Sequence, residues 1–227
     1  MPPPITIANE TVASGQKRAL EIPVSRLPTG TSLSLPVTIL NGRHDGPTIW
    51  LSAAVHGDEL NGVEIIRRIL ERIDPNELSG AWLGVPVVNV FGFIGQSRYL
   101  PDRRDLNRSF PGSARGSLAA RLAHLFMTEI VSRCSYGIDL HTGSNHRTNF
   151  PHIRANLDDP ETRRIATHFG APVMINAQTR DGSLRQAASQ RGIHVLLYEA
   201  AAALRFDETA LRTGATGTLR GDVKREV

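Results

Sequence analysis

From residue 31 the chain alternates, with Leu33, Leu35, Val37 and Ile39 on one face of an extended segment. Asn41-Gly42 and Asp45-Gly46 follow as turn chemistry, and Pro36 predicts an edge strand because it has no N–H to give a ladder. An uninterrupted apolar run over 48–55 then reads as a buried strand. The next segment changes period: Leu60, Val63, Ile66, Leu70 and Ile73 recur at helical spacing while Arg67, Arg68, Glu71 and Arg72 face out, and Pro75-Asn76 ends the helix. A second buried run covers 83–90 and empties into a long aperiodic stretch, 91–112, of the kind that in a compact domain is functional or disordered. A helix is expected over 117–132, with Leu118, Leu122, Leu125 and Ile130 inward and His124 solvated. After it come a strand over 136–140, a polar loop, a helix over 161–169, a strand over 172–176, a helix over 183–191 and a final strand over 194–198. The opening 30 or so residues mix short β-like pieces with Pro and Gly, as an edge hairpin or arm would. Alternating strands and helices predict an α/β fold: a mostly parallel mixed sheet with helices on both faces, in one domain over 1–227 with an N-terminal β arm over about 1–30.

Composition narrows the partners. The formal charge is +4, yet the basic residues are almost all arginines interspersed with acids, which argues for small anionic ligands and against a nucleic-acid stripe. One cysteine, Cys134, excludes an internal disulfide framework, fits a reducing compartment, and has packing as its expected role. The N-terminus has no leader pattern and no apolar stretch reaches the roughly 18 residues of a membrane span. A cytoplasmic protein with no membrane partner is expected, with room for a homo-oligomer.

The candidate chemistry gathers at strand ends. His56 and Glu59 follow the buried run 48–55, and their i, i+3 spacing can bring an imidazole and a carboxylate onto one Zn²⁺; by spacing alone they are equally a polar loop closing a strand. Asp139 and His141 are two apart on an extended segment and point to one side of the pleat, although His141 also reads as a loop histidine. Glu199 closes the last expected strand, where it reads either as a helix-start acid or as a functional carboxylate. In an open α/β sheet ligands bind beyond the carboxyl ends of the strands, so one site can collect all of these. Two histidines and one carboxylate leave a fourth zinc position open, as in catalytic sites, and Glu199 beside it would take a proton from water, with Asp139 fixing a ligand tautomer.

Four segments carry a resemblance in the same order: His56-Gly57-Asp58-Glu59, Asp105-Leu106-Asn107-Arg108-Ser109-Phe110-Pro111-Gly112, Asp139-Leu140-His141-Thr142-Gly143 and Tyr198-Glu199-Ala200. They resemble the motifs of the succinylglutamate desuccinylase/aspartoacylase family, relatives of the zinc carboxypeptidases, over about residues 26–212. The resemblance implies a zinc carboxypeptidase-like (phosphorylase/hydrolase-like) architecture and one Zn²⁺ per chain on His56, Glu59 and His141. It also implies Glu199 as catalytic base and acid, Arg98 on the scissile carbonyl oxygen, and Asn107 with Arg108 on a substrate carboxylate. The activity implied is hydrolysis of the amide of a small anionic N-acyl amino acid. A zinc carboxypeptidase acting on short peptides, or a catalytically weak metal- or ligand-binding domain, are the alternatives. An arginine fork with an adjacent amide suits carboxylate recognition on physical grounds as well. Arg103, Arg104, Arg147 and Arg154 have no role assigned by these patterns. Two departures stand out: where many relatives place a glycine soon after the catalytic glutamate, this chain reads Ala200-Ala201-Ala202-Ala203, and the family's C-terminal β domain appears absent or truncated.

Overall fold

Two short strands, β1 (Ile5–Ile7) and β2 (Glu10–Val12), pair as a hairpin before the chain enters an eight-stranded sheet through β3 (Gln16–Arg26) and β4 (Ser32–Asn41). The computed structural model describes residues 2–144 and 147–220; Asn145 and His146 of the expected polar loop, and the tail beyond residue 220, lie outside the described residues. The remaining elements are β5 (His44–Ala53), α1 (Asn61–Arg72), β6 (Ser79–Val85), α2 (Val90–Ile94), α3 (Leu118–Glu129), β7 (Tyr136–Gly143), β8 (Asn149–Ala155), α4 (Pro160–Phe169), β9 (Val173–Asn176), α5 (Leu184–Ser189), β10 (His194–Ala202) and α6 (Glu208–Arg220). Strand order is β3-β4-β6-β5-β7-β10-β8-β9, with β6, β5, β7 and β10 mutually parallel.

Alternate side chains of the central strands feed two cores. Ile49, Leu51 and Ala53 of β5 pack with Ile65, Ile66 and Ile69 of α1, together with α4 and α6. Trp50 points the other way, into a core built on α3 and α5 that includes Leu122, Phe126 and Leu184. From β5 the chain crosses through α1 on one face to β6, then through α3 on the opposite face to β7 on the other side of β5. The carboxyl ends of β5 and β7 therefore form a topological switch point, the crevice that such sheets offer to ligands.

The structure revises several sequence expectations. The expected arm divides: residues 5–12 form the hairpin, whereas Gln16–Arg26 is the sheet's edge strand. Pro36 sits on β4, one strand in from that edge, but β6 pairs only with Thr38 to Asn41, so the proline breaks no ladder bond there. Asp45-Gly46 lies inside β5 rather than in a turn, and the run expected as a strand over 83–90 ends at Val85 and becomes α2. β8 and α6 were not expected. Pro151 and the polar residues around it mask the strand pattern of β8, and the small residues of α6 weaken its helical period although Ala210, Leu211, Gly214 and Ala215 bury one face. No helix among the described residues is long and apolar enough to cross a membrane. Cys134 is buried against the α3 side of the core, and burial pushes its thiol well above the usual range.

Candidate metal centre and cleft

His56 and Glu59 leave β5 in a turn that Gly57 permits for a steric reason. A β-carbon on Gly57 would lie 1.9 Å from the backbone of Gly92 in α2, so the loop passes too close to that helix for any side chain. Here φ is not the constraint; contact is. Asn89 holds the helix in place by accepting the Gly92 N–H at 2.8 Å. His141 lies within β7 rather than in a loop, on the same face as Asp139 two residues before it. The β5–β7 register sets Ser52 opposite Asp139, and the Ser52 hydroxyl donates to Asp139 Oδ1 at 2.7 Å.

The three expected ligands meet. One ligand atom each from His56, Glu59 and His141 lies within 4.8 Å of the other two, and all three residues are buried. His56 Nδ1 is 2.9 Å from Glu59 Oε1, and His141 Nδ1 is 2.8 Å from Glu59 Oε2. The opposite ring nitrogens face further carboxylates: His141 Nε2 is 2.7 Å from Asp139, and His56 Nε2 is 3.2 Å from Asp105. An Nε2–H donated outward leaves an Nδ1 lone pair facing inward, which is the tautomer a metal-bound imidazole requires. The donor set of two imidazoles and one carboxylate therefore fits a divalent ion such as zinc.

Electrostatics agree with this arrangement. Burial alone would depress the histidines, but Glu59 and Asp105 outweigh it and raise His56, while Asp139 and Glu59 raise His141 well above its ordinary value. Burial would raise Glu59, yet the two imidazoles hold its carboxyl below the usual range. The inner ring nitrogens that face Glu59 are those a cation would share with its carboxylate.

Beyond the triad, a cavity of about 410 Å³ opens between the β5, β7 and β10 ends and the segment after α2. Arg98 lines it, donating to Asp105 Oδ2 at 2.8 Å, with its other terminal nitrogen 3.7 Å from Glu59. Asn107 lines it too; its side-chain oxygen accepts the Leu184 N–H at 2.9 Å at the start of α5, which orients the amide and leaves its NH₂ to donate to a ligand. Arg108 is beside it, bonded through its guanidinium to the Asn107 carbonyl. Glu199 is also at the cavity, though inside β10 and not at its end. Its register partner is His141, so the carboxylate stands next to the triad on the same face.

Immediately after Glu199 both β10 ladders slip, and Ala201 takes φ 60°. This is a bulge in the Ala200-Ala201-Ala202 stretch. An L-residue there costs about 1–2 kcal/mol, partly offset by the larger unfolded-state entropy of glycine. Ala201→Gly is accordingly expected to leave stability unchanged or raise it by up to about 1 kcal/mol, the reverse of Ala→Gly in a regular strand. Denaturant unfolding checks this, and a loss above about 1 kcal/mol would mean that the bulge is not positioned as described.

Asp105, Asn149 and His152 were not singled out by the sequence for what they touch, and Arg180 and Arg185 of the cavity lining were not named by it at all. Asp105 was noted within its motif, but its bond to His56 was not legible, because 49 residues separate them. Asn149 and His152 were hidden in the segment read as a loop. The Arg147 side chain bonds back to Ser144, and Arg154 lines the cavity, whereas Arg103 and Arg104 are exposed and do not line it.

A mixed α/β sheet that buries two imidazoles and a carboxylate at its switch point, open to an arginine-lined cleft, defines a metal-binding α/β protein. Residues 45–221 match the succinylglutamate desuccinylase/aspartoacylase catalytic domain, and the chain belongs to that family. The buried triad is consistent with a zinc site of the family. The N-alpha-acetyl-L-2,4-diaminobutyric acid deacetylase of Halomonas elongata is 32% identical over 182 residues, covering 77% of this chain and 53% of the relative. The crystal structure of the succinylglutamate desuccinylase/aspartoacylase from Rhodobacter sphaeroides has a TM-score of 0.82 at 29% identity, over 92% of this chain and 66% of that one. The product-bound ectoine utilization protein EutE (DoeB) from Ruegeria pomeroyi shares the fold with a TM-score of 0.83 at 22% identity, over 92% and 68%. The chain thus spans about half the length of the curated relative and about two thirds of these solved structures.

Proposed function

We propose that this chain is a zinc-dependent deacylase that hydrolyses the amide of a small anionic N-acyl amino acid. The observation that carries the reading is the register of β10 on β7, which sets Glu199 beside His141 and its partners His56 and Glu59. His56, Glu59 and His141 would hold the ion, which when bound polarises a carbonyl oxygen and acidifies water. Glu199 then takes a proton from the attacking water as its oxygen bonds to the acyl carbon. It returns that proton to the nitrogen as the C–N bond breaks, so the acid and the amine leave with protons balanced. Arg98, anchored by Asp105, shares the negative charge that develops on the carbonyl oxygen. Asp139 and Asp105 orient the two histidines.

An anionic substrate is supported by the cleft's uncompensated charge. Arg98, Arg108, Arg147, Arg154, Arg180 and Arg185 all line it. Among the described residues, Arg98 alone of the six has a carboxylate within salt-bridge distance. Arg185 is buried and donates to the carbonyls of Ala177 and Gln178; burial, with the charges of Arg154 and Arg180, lowers its pKa. Arg108 and the Asn107 NH₂ are the proposed grip on the substrate α-carboxylate.

The test is a hydrolysis screen with zinc-loaded protein on N-acyl amino acids, beginning with N-acetyl-L-2,4-diaminobutyric acid and including each compound's carboxamide. Acids are expected to turn over and carboxamides to be poor substrates. No turnover of any acid by metal-loaded protein would overturn the reading. In Arg108→Ala, kcat/KM for the acid should fall roughly 10- to 150-fold, the equivalent of about 1.5–3 kcal/mol for a lost charge-assisted contact, and the preference for acid over amide should vanish. An Arg108→Ala protein that keeps the original preference would assign carboxylate recognition to another arginine of the cleft.

A further inference from the structure

On the cavity face of the sheet, β7, β10 and β8 present a row of cross-strand neighbours: His141 opposite Glu199, and Glu199 opposite His152. One side of Glu199 thus faces the metal-binding triad and the other faces β8. Both described side chains that approach the Glu199 carboxylate reach a single oxygen, one of them by a hydrogen bond. Asn149 Nδ2 donates to Oε2 at 2.9 Å, and His152 Nε2 lies 3.4 Å from the same atom. His152 Nδ1 is 2.7 Å from the carbonyl of Phe150, an acceptor only, so Nδ1 carries a proton and its ring is fixed in orientation.

We propose that Asn149 and His152 are positioning residues that hold Glu199 Oε2 from the β8 side, Asn149 by its hydrogen bond and His152 by its ring edge against the same oxygen, leaving Oε1 as the oxygen that exchanges protons with water and the leaving nitrogen. The inference rests on the reading of Glu199 as general base. Holding Oε2 from β8 hinders the carboxylate from rotating about its terminal torsion, which is otherwise broad, and fixes which oxygen addresses the cleft. The bulge after Glu199 contributes by slipping the ladder, so that Asn149, opposite Ala201, and His152, opposite Glu199, both reach one oxygen although they are an odd number of residues apart.

The test uses zinc-loaded protein and the best N-acetyl amino acid substrate from the screen above. Wild type, Asn149→Ala, His152→Leu and His152→Gln are compared, each alone and in the Glu199→Gln background, with zinc content and melting temperature measured alongside. Asn149→Ala and His152→Leu should each lower kcat by roughly 10-fold or more with KM and zinc content unchanged, since small misplacements of a catalytic group cost that much or more. His152→Gln, which keeps a polar side chain of similar reach against Oε2, should stay within a few-fold of wild type. In the Glu199→Gln background the same substitutions should change turnover hardly at all, because residues acting through one group are non-additive with its removal. Equal losses in both backgrounds, or a rise in KM at constant kcat, would overturn the proposal, as would wild-type kcat in Asn149→Ala. If Glu199→Gln itself turns over normally, the general-base reading fails and this inference falls with it, an outcome distinct from a damaged Glu199→Gln beside an intact Asn149→Ala.

Discussion

Glu199→Gln should lower turnover by roughly two to four decades while the protein keeps its metal and its fold. The amide preserves volume and can still meet Asn149 by flipping, but it has no oxygen able to accept a proton from water and return it to nitrogen. Glu199 is separated from the triad by one strand spacing and belongs to a different strand from every expected metal ligand, so the substitution isolates proton transfer from metal binding. Steady-state kinetics with parallel elemental analysis reads both. Near-normal kcat with full zinc would move the base elsewhere. Glu64 would not be the replacement, because it is held at 2.7–2.8 Å by Arg67 and Arg68 on the outer face of α1 and its carboxyl is depressed to about 2. Asp58 would be examined next: it is buried beside Glu59 and its Oδ1 has no hydrogen-bond partner among the described residues, although it does not line the cavity.

Removing an imidazole from the triad should have the other large effect. His56→Ala and His141→Ala are each expected to abolish stoichiometric zinc and, with it, turnover, because a site of two imidazoles and one carboxylate has no spare protein donor. Asp139→Asn leaves the ligands in place but weakens the orientation of His141, and should cost roughly 10- to 100-fold in metal affinity. The wild-type protein should melt higher when zinc is added, whereas the alanine variants should not respond. The pH dependence has a definite sign. Both histidines have raised pKa values without the ion, so protons compete for Nδ1 up to a higher pH than for a free imidazole. Zinc affinity should therefore fall as pH decreases through neutrality, with protons released on binding. Stoichiometric zinc in both alanine variants would refute the ligand assignment, and a pH-independent affinity would refute the competition between protons and the ion for Nδ1.

The sequence by itself determined the layers and the chemical inventory. Period-2 and period-3.6 patterns over the central strands, α1 and α3 are local consequences of burying one side or both sides of an element, so they are legible without tertiary knowledge. The motifs around His56, Asp105, His141 and Glu199 are contiguous, and the family they belong to was readable from them. Tertiary structure decided what those motifs touch. The pairing of His56 with Asp105, the oxygen of Asn107 spent on the start of α5, and Gly57 pressed against Gly92 all join residues far apart in the chain. Strand order and register, which have no local signature in this chain, bring them together. The same cause hid β8. A strand flanked by partners on both sides can carry proline and polar residues because its neighbours, not its own pattern, hold it in place. Glu199 shows the division most clearly: its identity and its strand were visible in the sequence, but the bulge beyond it, the left-handed Ala201 and the two β8 side chains on one of its oxygens exist only once β7, β10 and β8 are laid side by side.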